Sequence, residues 1–326
     1  MSEPLLSVCV ITYNHAPYIL QSLESVASQK VNFSMELIIA DDCSKDGTSQ
    51  IVEGFLKSYK GQVNYLKREK NFGAANNFID MISRAKGKYI ALCEGDDYWT
   101  DKHKLQKQVS FLEQYPDYSL CCHDVLFKIR YKRYRNFQWD APFDSDIKDL
   151  LKRGNYISTA SVVLKNHPDV LSFLNKFPHA PNGDYLIYIS AAQRGKIRIM
   201  KEKMAVYRVH SGGTWSQLGI EKAFIKSLIA LEMLFEELPE CHRGDLKIQL
   251  LGMLEVMLRV KGVSVLSNNP DLIRILEKME ISSFLIEYLK FNSVEKSTAA
   301  YYSKHIPFRL LMGAIKEKVK NIIFKF

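Results

Sequence analysis

Short apolar runs alternate with amphipathic segments through residues 1–125. Apolar runs bounded by polar residues predict strands, and apolar residues three and four positions apart predict helices. Repeated strand–helix units are typical of a mainly parallel sheet with helices on both faces. The predicted strands cover residues 5–11, 35–40, 63–66 and 88–93, and the predicted helices cover residues 18–29, 48–60, 74–85 and 101–115.

The pattern changes in the second part of the chain. Phe127, Ile129 and Tyr131 alternate with basic residues, which predicts a half-exposed strand. Helices are expected at 146–153 and 183–193, and an extended segment at 197–210. After residue 217, every segment with periodic apolar residues has the spacing of a helix. We therefore expect an α/β domain over residues 1–215, followed by a helical region over residues 216–326.

Composition places the chain among ordinary globular proteins, with 326 residues, 47% hydrophobic and 25% charged. The formal net charge of +9 favours anionic partners without choosing among them. The six cysteines form no CxxC pair, which argues against a zinc ribbon and for a reducing compartment. The apolar run at 5–11 is too short for a secretory signal, and no stretch reaches the roughly 20 apolar residues that cross a bilayer. We expect a cytoplasmic protein.

Polar side chains follow each of the four predicted strands. In an open parallel sheet, ligands bind beyond the carboxyl ends of the strands, so these residues are expected to share one edge. The set comprises Thr12, Tyr13 and Asn14; Asp41, Asp42, Cys43, Ser44, Asp46 and Gly47; Arg68, Asn71, Phe72 and Gly73; and Glu94, Gly95, Asp96 and Asp97.

Carboxylates gathered at one edge repel each other unless a cation or hydrogen-bond donors compensate them. Glu94, Asp96 and Asp97 are hard oxygen ligands within four residues, which suits Mg²⁺ or Mn²⁺ bound together with substrate phosphates. Asp42 can accept a hydrogen bond from a nucleobase, and Tyr13 offers a face on which a base can stack. The edge is therefore suited to a nucleotide diphosphate.

Six spaced motifs occur in the first 215 residues. They are SVCVITYN at 7–14, ELIIADDCSKDGT at 36–48, NFGAANNF at 71–78, KYIALCEGDDYWTDKHKLQKQ at 88–108, NGDYLIYISAAQRGKI at 182–197 and MAVYRVHSGGTW at 204–215. In their order and spacing they resemble the family 2 glycosyltransferases, which have the GT-A fold. The resemblance leaves the helical C-terminal third uncovered.

The resemblance implies roles for individual residues. Tyr13 and Asp42 would bind the donor base, within a donor site that also includes Thr12, Asn14, Asn71, Gly73, Glu94, Gly95 and Asp96. Glu94, Gly95 and Asp96 stand where the family has its DxD metal motif, although the first acid here is Glu. Glu94, Asp96, Asp97 and His210 are the candidate ligands of Mn²⁺ or Mg²⁺. Asp184 stands where the family has its catalytic base.

The resemblance also implies the reaction. A sugar would move with inversion from a nucleotide diphosphate, UDP by default and dTDP as an alternative, to the hydroxyl of a glycan or of a lipid-linked acceptor. Asp184 would take the proton from that hydroxyl. Surface polysaccharide synthesis is the expected setting, with residues 216–326 serving acceptor, oligomer or membrane-surface contacts.

Structural alternatives exist for several candidates. Asp41, Asp42 and Asp46 could be turn and cap residues. Asp184 could be the N-cap of a helix. The cap role and the base role do not exclude each other. His210 could be structural, and Asn71 and Gly73 could only shape a turn. Trp99 and Trp215 could be core anchors or sugar platforms.

Two basic segments have open roles. Residues 304–326 carry six Lys or Arg against one Glu, with apolar residues at helical spacing. This pattern predicts a helix that lies on an anionic membrane surface, or that packs on its own domain or on a second copy. The basic stretch at 130–135 could be a solvated face or could meet a phosphate-bearing acceptor.

Other functions fit less well. A sugar nucleotidyltransferase would open with a glycine-rich loop after the first strand, a dehydrogenase would carry GxGxxG after a strand, and neither motif occurs there. A nucleic-acid partner is not expected, since the proposed site is acidic and no nucleic-acid motif is present. A catalytically idle scaffold that binds nucleotide or membrane is the remaining alternative.

Overall fold

The computed structural model describes residues 3–129, 133–136, 142–177, 180–213, 220–261 and 270–281. Three predicted features lie outside the described residues: Trp215, the side chains of the basic stretch at 130–135, and the predicted helix at 304–326. The expectations attached to them stay predictions.

The centre of the fold is a buried parallel sheet. Strand β1 (Leu6–Thr12) pairs in parallel with β2 (Met35–Asp41) on one side and β4 (Tyr89–Glu94) on the other, and β3 (Gln62–Lys67) extends the sheet beyond β2. Helices α1 (Ile19–Ala27), α2 (Thr48–Leu56) and α3 (Ala74–Ser83) connect these strands. Each predicted strand and helix of this half is present, with boundaries shifted by a few residues.

The second half of the sheet is mixed. The sheet order is β3-β2-β1-β4-β9-β6-β10-β5, in which β9 runs antiparallel to both β4 and β6, while β6 and β10 are parallel. Two short strands pair at its margin, β7 with β6 and β8 with β10. The elements are β5 (Tyr98–Trp99), α4 (Lys104–Gln114), β6 (Tyr118–Ile129), β7 (Arg133–Asn136), β8 (Asp144–Ser145), α5 (Ile147–Arg153), β9 (Val163–Lys165), α6 (Pro168–Asn175), α7 (Gly183–Ala192) and β10 (Lys196–Val209).

The predicted α/β fold, a central sheet flanked by helices and followed by helices, is confirmed. Several short elements have no counterpart in the sequence-based prediction. Strand β9 has three residues, too few for a periodic signal, and it is held by its place between β4 and β6. Helix α6 begins with Pro168 at its first turn, and His167 accepts a hydrogen bond from the backbone N–H of Asp169.

The chain divides into two compact units, one of residues 1–147 and 155–216, the other of residues 148–154 and 217–326. The second unit contains α8 (Ile220–Glu237), α9 (Arg243–Lys261) and α10 (Pro270–Lys278). Within it, Arg274 and Lys278 of α10 form ion pairs with the buried Glu232 of α8. None of the helices in the described part of the chain is long and apolar enough to cross a membrane.

Candidate active site

The strand register brings the predicted site residues to one edge of the sheet. Thr12 at the end of β1 lies opposite Asp41 at the end of β2, and Ile11 lies opposite Glu94 at the end of β4. The loops continue the pairing, since the Asp42 N–H donates to the Thr12 carbonyl at 3.0 Å. The residues after β1, β2 and β4 are therefore neighbours in space.

Three carboxylates meet after β4. Oxygen atoms of Glu94, Asp96 and Asp97 lie within 4.8 Å of one another. Burial, together with the charges of Asp96 and Asp97, raises the pKa of Glu94, and burial with the charge of Asp96 raises the pKa of Asp97. Both acids thus hold their protons more tightly than usual, because like charges are packed where water cannot screen them.

The same cluster fits a divalent cation. Asp97 is 1% exposed, and its Oδ2 is buried without a hydrogen-bond partner among the described residues. An unpartnered buried carboxylate oxygen is costly, and coordination to a cation would satisfy it. The donor set of three carboxylates with a neighbouring imidazole suits Mn²⁺ or Mg²⁺. Glu94, Asp96, Asp97 and His210 are the residues that could hold such an ion.

Two histidines flank Asp96. The Asp96 Oδ2 lies 3.0 Å from His210 Nε2 and 3.5 Å from His15 Nε2. Burial opposes ionisation of Asp96, but the His210 hydrogen bond and the two imidazoles nonetheless hold its pKa below the usual value. Burial lowers the pKa of His15, which favours its neutral form. Asp96 is thus the acid of the cluster whose ionised form is favoured.

His15 was not among the predicted site residues. It follows Asn14 in the loop after β1, and a single histidine in a loop gives no chemical signal by itself. Its backbone N–H donates to Thr48 Oγ1 at 2.8 Å, which fixes the loop so that the imidazole faces Asp96. Only the pairing of β1 with β4 brings the two residues together.

Arg208 was also missed. Its backbone N–H donates to Asp97 Oδ1 at 2.9 Å, and its guanidinium donates to the Asp96 carbonyl and to Gln21 Oε1. The guanidinium also lies 4.3 Å from the centre of the Tyr98 ring. Its partners Asp97 and Asp96 lie 111 and 112 positions earlier in the chain, so no local sequence signal indicates these contacts.

The loops after β2 and β3 hold Asp42. The backbone N–H of Phe72 donates to Asp42 Oδ1 at 2.7 Å, and Asn71 Nδ2 donates to the Asp42 carbonyl at 3.2 Å. Asn71 also accepts from the Gly73 N–H at 2.9 Å, and Gly73 has φ +80°, a conformation that favours glycine. Asn71 and Gly73 therefore shape the turn that fixes the Asp42 carboxylate.

The remaining donor-side candidates follow β1. Tyr13 is 45% exposed, so its ring is free to stack on a flat ligand. Asn14, in the left-handed region with φ 55°, accepts from the Lys45 N–H at 2.8 Å and so links the loops after β1 and β2. Thr12 is buried, and a methyl group at position 95 would lie only 2.6 Å from its Oγ1, so Thr12 packs closely against the loop at Gly95.

Asp41 and Asp46 have structural partners. Asp41 is fully buried and accepts hydrogen bonds from Ser44, Ser49 and Tyr65. Asp46 accepts from the Ala16 N–H and from the Thr48 N–H and hydroxyl at the start of α2. Both carboxylates therefore hold the loops in which they lie, which agrees with their reading as turn and cap residues. Trp99 likewise is buried, and its Nε1 donates to the Ala160 carbonyl at 2.8 Å.

Asp184 lies in the first turn of α7, whose N-cap residue is Asn182. Asn155 Nδ2 donates to Asp184 Oδ2 at 2.8 Å. Burial raises the pKa of Asp184, and the charge of Asp184 contributes to raising the pKa of Glu94. A carboxyl with a raised pKa near an acidic cluster has the character of a general base for a substrate bound beside that cluster.

A Gly95→Ala substitution tests how tightly the acidic loop is packed. A methyl group at position 95 would come within 2.6 Å of Thr12 Oγ1 and 3.0 Å of His15 Nδ1. Since both neighbours are held by the core and the loop, we expect a loss of about 1–3 kcal/mol in the free energy of unfolding, measured by urea denaturation. Gly54→Ala, where a methyl group meets nothing within 4 Å, is the control. Equal stability of the two variants would contradict the close packing.

Known proteins resemble this chain in sequence and in fold. Residues 7–165 match the sequence profile described as Glycosyl transferase family 2. Over 217 residues, the chain is 37% identical to Uncharacterized protein Rv1520 of Mycobacterium tuberculosis, a match that covers 64% of this chain and 60% of the relative. The chain thus matches less than two thirds of the length of that relative.

A relative with a named activity also matches. Over 215 residues, the chain is 27% identical to the UDP-Glc:alpha-D-GlcNAc-diphosphoundecaprenol beta-1,3-glucosyltransferase WfaP of Escherichia coli. This match covers 64% of the chain and 78% of the relative.

Solved structures share the fold. The structure of S. aureus TarS 1-349 in complex with UDP-GlcNAc matches with a TM-score of 0.63 at 20% identity, over 87% of this chain and 83% of that one. The mannosyltransferase PcManGT of Pyrobaculum calidifontis, in complex with GDP-Man and Mn²⁺, matches with a TM-score of 0.56 at 17% identity, over 100% and 89% of the two chains. At this identity the likeness shows a common GT-A-like fold. The match to glycosyl transferase family 2 spans residues 7–165, a little under half of the chain.

Proposed function

We propose that the protein is a glycosyltransferase that moves a sugar from a nucleotide diphosphate, UDP by preference, to an acceptor hydroxyl. The observation that carries the proposal is the cluster of Glu94, Asp96 and Asp97 at the same sheet edge as Tyr13 and Asp42. At this edge, Tyr13 and Asp42 suit a nucleobase, whereas the three clustered acids suit a diphosphate with its cation. Relatives and structural neighbours named as acting on or binding UDP-Glc and UDP-GlcNAc support UDP.

On the donor side, the Tyr13 ring would stack on the base, and the Asp42 carboxylate would accept a hydrogen bond from it. Thr12, Asn14, Asn71 and Gly73 would hold these two groups in place. Glu94, Gly95 and Asp96 would lie beside the sugar diphosphate, with Asp96, Asp97, Glu94 and His210 as ligands of Mn²⁺ or Mg²⁺. When bound, the cation neutralises negative charge that develops on the leaving diphosphate.

On the acceptor side, Asp184 would take the proton of the attacking hydroxyl. The acceptor oxygen then bonds to the anomeric carbon as the bond from that carbon to the diphosphate breaks, which inverts the anomeric centre in one displacement. Arg208 holds Asp96 and Asp97 through their backbone and side-chain oxygens, so the acidic loop keeps its shape through this step.

The acceptor is proposed to be a growing surface glycan or its lipid-linked precursor. WfaP is named for a sugar linked to diphosphoundecaprenol, which supports this class. Residues 1–215 would form the transfer domain, and residues 216–326 would contact the acceptor, a second copy or the inner membrane surface. A dTDP-sugar donor is the alternative within the same site, and a catalytically idle scaffold is the alternative of another class.

Release of nucleotide from sugar nucleotides tests the proposal. UDP-glucose, UDP-GlcNAc, a dTDP-hexose and GDP-mannose would each be incubated with the full chain, with Mn²⁺ or with EDTA, and the free nucleotide measured. We expect release from one carrier class, dependent on the cation and faster with an added glycan acceptor. Equal background release with and without Mn²⁺ for every donor would favour the idle scaffold.

A further inference from the structure

Asn155 makes two contacts that fix its side chain. Its Nδ2 donates to Asp184 Oδ2 at 2.8 Å, and its Oδ1 accepts from the Ile157 N–H at 3.2 Å. The preceding residue, Gly154, has φ +81°, which turns the chain sharply after α5. Because the amide oxygen is engaged by Ile157, the amide NH₂ group has to face Asp184.

The surroundings of Asp184 make this contact important. The charge of Asp184 acts on Glu94 of β4, on Tyr188 one helical turn further along α7 and on Tyr207 of β10. Burial raises the pKa of Asp184, whereas the N–H of Tyr185 and the Asn155 amide act in the opposite direction. Asn155 is therefore a neutral donor that favours the ionised carboxylate at a place where burial opposes ionisation.

We propose that Asn155 is a positioning residue for the reaction, which holds Asp184 Oδ2 and so fixes the orientation in which the carboxylate takes the proton from the acceptor hydroxyl. The inference rests on the proposed function, in which Asp184 is the base. The contact resembles the arrangement by which a third group orients a catalytic base in hydrolytic triads, where a base of wrong orientation or protonation state is ineffective.

Asn155→Asp separates this role from support of the loop. The new carboxylate still offers an oxygen to the Ile157 N–H, but it has no donor for Asp184 and places a like charge beside it. One of two adjacent carboxyls then keeps its proton to higher pH. We expect kcat at neutral pH to fall about 10- to 100-fold, as for loss of a hydrogen bond to a charged group.

The pH profile of kcat is the decisive readout. Activity requires ionised Asp184, so a raised pKa moves the acid limb of the profile to higher pH, by about one pH unit or more if the lost contact has the usual strength. KM for the sugar nucleotide is expected to stay unchanged. In Asn155→Ser, the hydroxyl can bond Ile157 but cannot reach Asp184. We expect this variant to lower kcat and to move the acid limb in the same direction, so it replaces the Asp variant if that one does not fold.

Asn166→Ala is the matched control. Asn166 Nδ2 donates to the Ala85 and Gly87 carbonyls, so it is a loop amide that supports backbone without contacting Asp184. We expect it to lower stability and to leave the pH profile where it is. Asn155 variants with an unshifted acid limb and wild-type kcat would overturn the inference. If Asp184→Asn itself retained full activity, the proposed base would fall, and the role of Asn155 with it.

Discussion

Replacing Asp184 with Asn is expected to lower turnover by about 10²–10⁴-fold, the usual contribution of a general base. The substitution preserves the size of the side chain and its place in the first turn of α7, and removes its negative charge and its ability to take a proton. Donor affinity should stay near the wild-type value, because Asp184 is not among the residues proposed to bind the nucleotide. The measurement is sugar transfer at saturating donor, alongside donor binding by calorimetry.

Asp169→Asn is the control for this prediction. Asp169 also lies in the first turn of a helix, α6, so the control repeats the change of charge at an equivalent position outside the site. We expect Asp169→Asn to transfer sugar at the wild-type rate. Transfer by Asp184→Asn at the same rate would show that another group takes the proton.

Asp96→Asn is expected to abolish tight cation binding. Two imidazoles lie within 3.5 Å of Asp96, and despite burial they help to hold its pKa below the usual value, which favours its ionised form. Loss of a partner outside the ligand shell typically weakens metal affinity about 10- to 100-fold, and loss of a ligand should cost at least as much. Mn²⁺ titration followed by electron paramagnetic resonance, with UDP present, would measure the change without relying on activity.

Asp80→Asn provides the matched carboxylate for this experiment. Asp80 forms ion pairs with Arg68 and Arg84, so it also loses charge-assisted contacts, but it is not one of the clustered acids. We expect its Mn²⁺ affinity to equal that of the wild-type protein. Wild-type affinity in Asp96→Asn would mean that the cation, if bound, is held by other ligands.

The strands and helices of the first half of the sheet could be predicted from hydrophobic periodicity because these segments are long and regular. Strand β2 contains the apolar run 37–40 and strand β4 the apolar run 89–93, as expected for strands buried on both faces. The boundaries of the elements, and the short elements themselves, were harder to predict from the sequence. The three residues of β9 and the two of β5 owe their conformation to pairing with distant strands, and local sequence does not encode that pairing.

The candidate site shows the same division. Residues that follow strands directly, such as Asp42 and Asp96, could be placed from the sequence because parallel strands bring their ends together. The contacts of His15 and Arg208 could not be predicted from the sequence. His15 lies 81 positions from Asp96, and Arg208 lies 111 and 112 positions from Asp97 and Asp96. These contacts depend on how the loops close. Asn155 lies between predicted elements, and only the structure places its amide against Asp184.

The most direct test of the account is thermal stabilisation of the full chain by UDP, dTDP and GDP, each with Mn²⁺ and with EDTA. A ligand that binds only the folded state stabilises it by about 2.7 kcal/mol at a hundredfold excess over its Kd. We expect a rise in Tm with UDP that requires Mn²⁺ and is lost in Asp96→Asn. A folded protein whose Tm does not respond to any of the three nucleotides would contradict the assignment of this edge as a donor site.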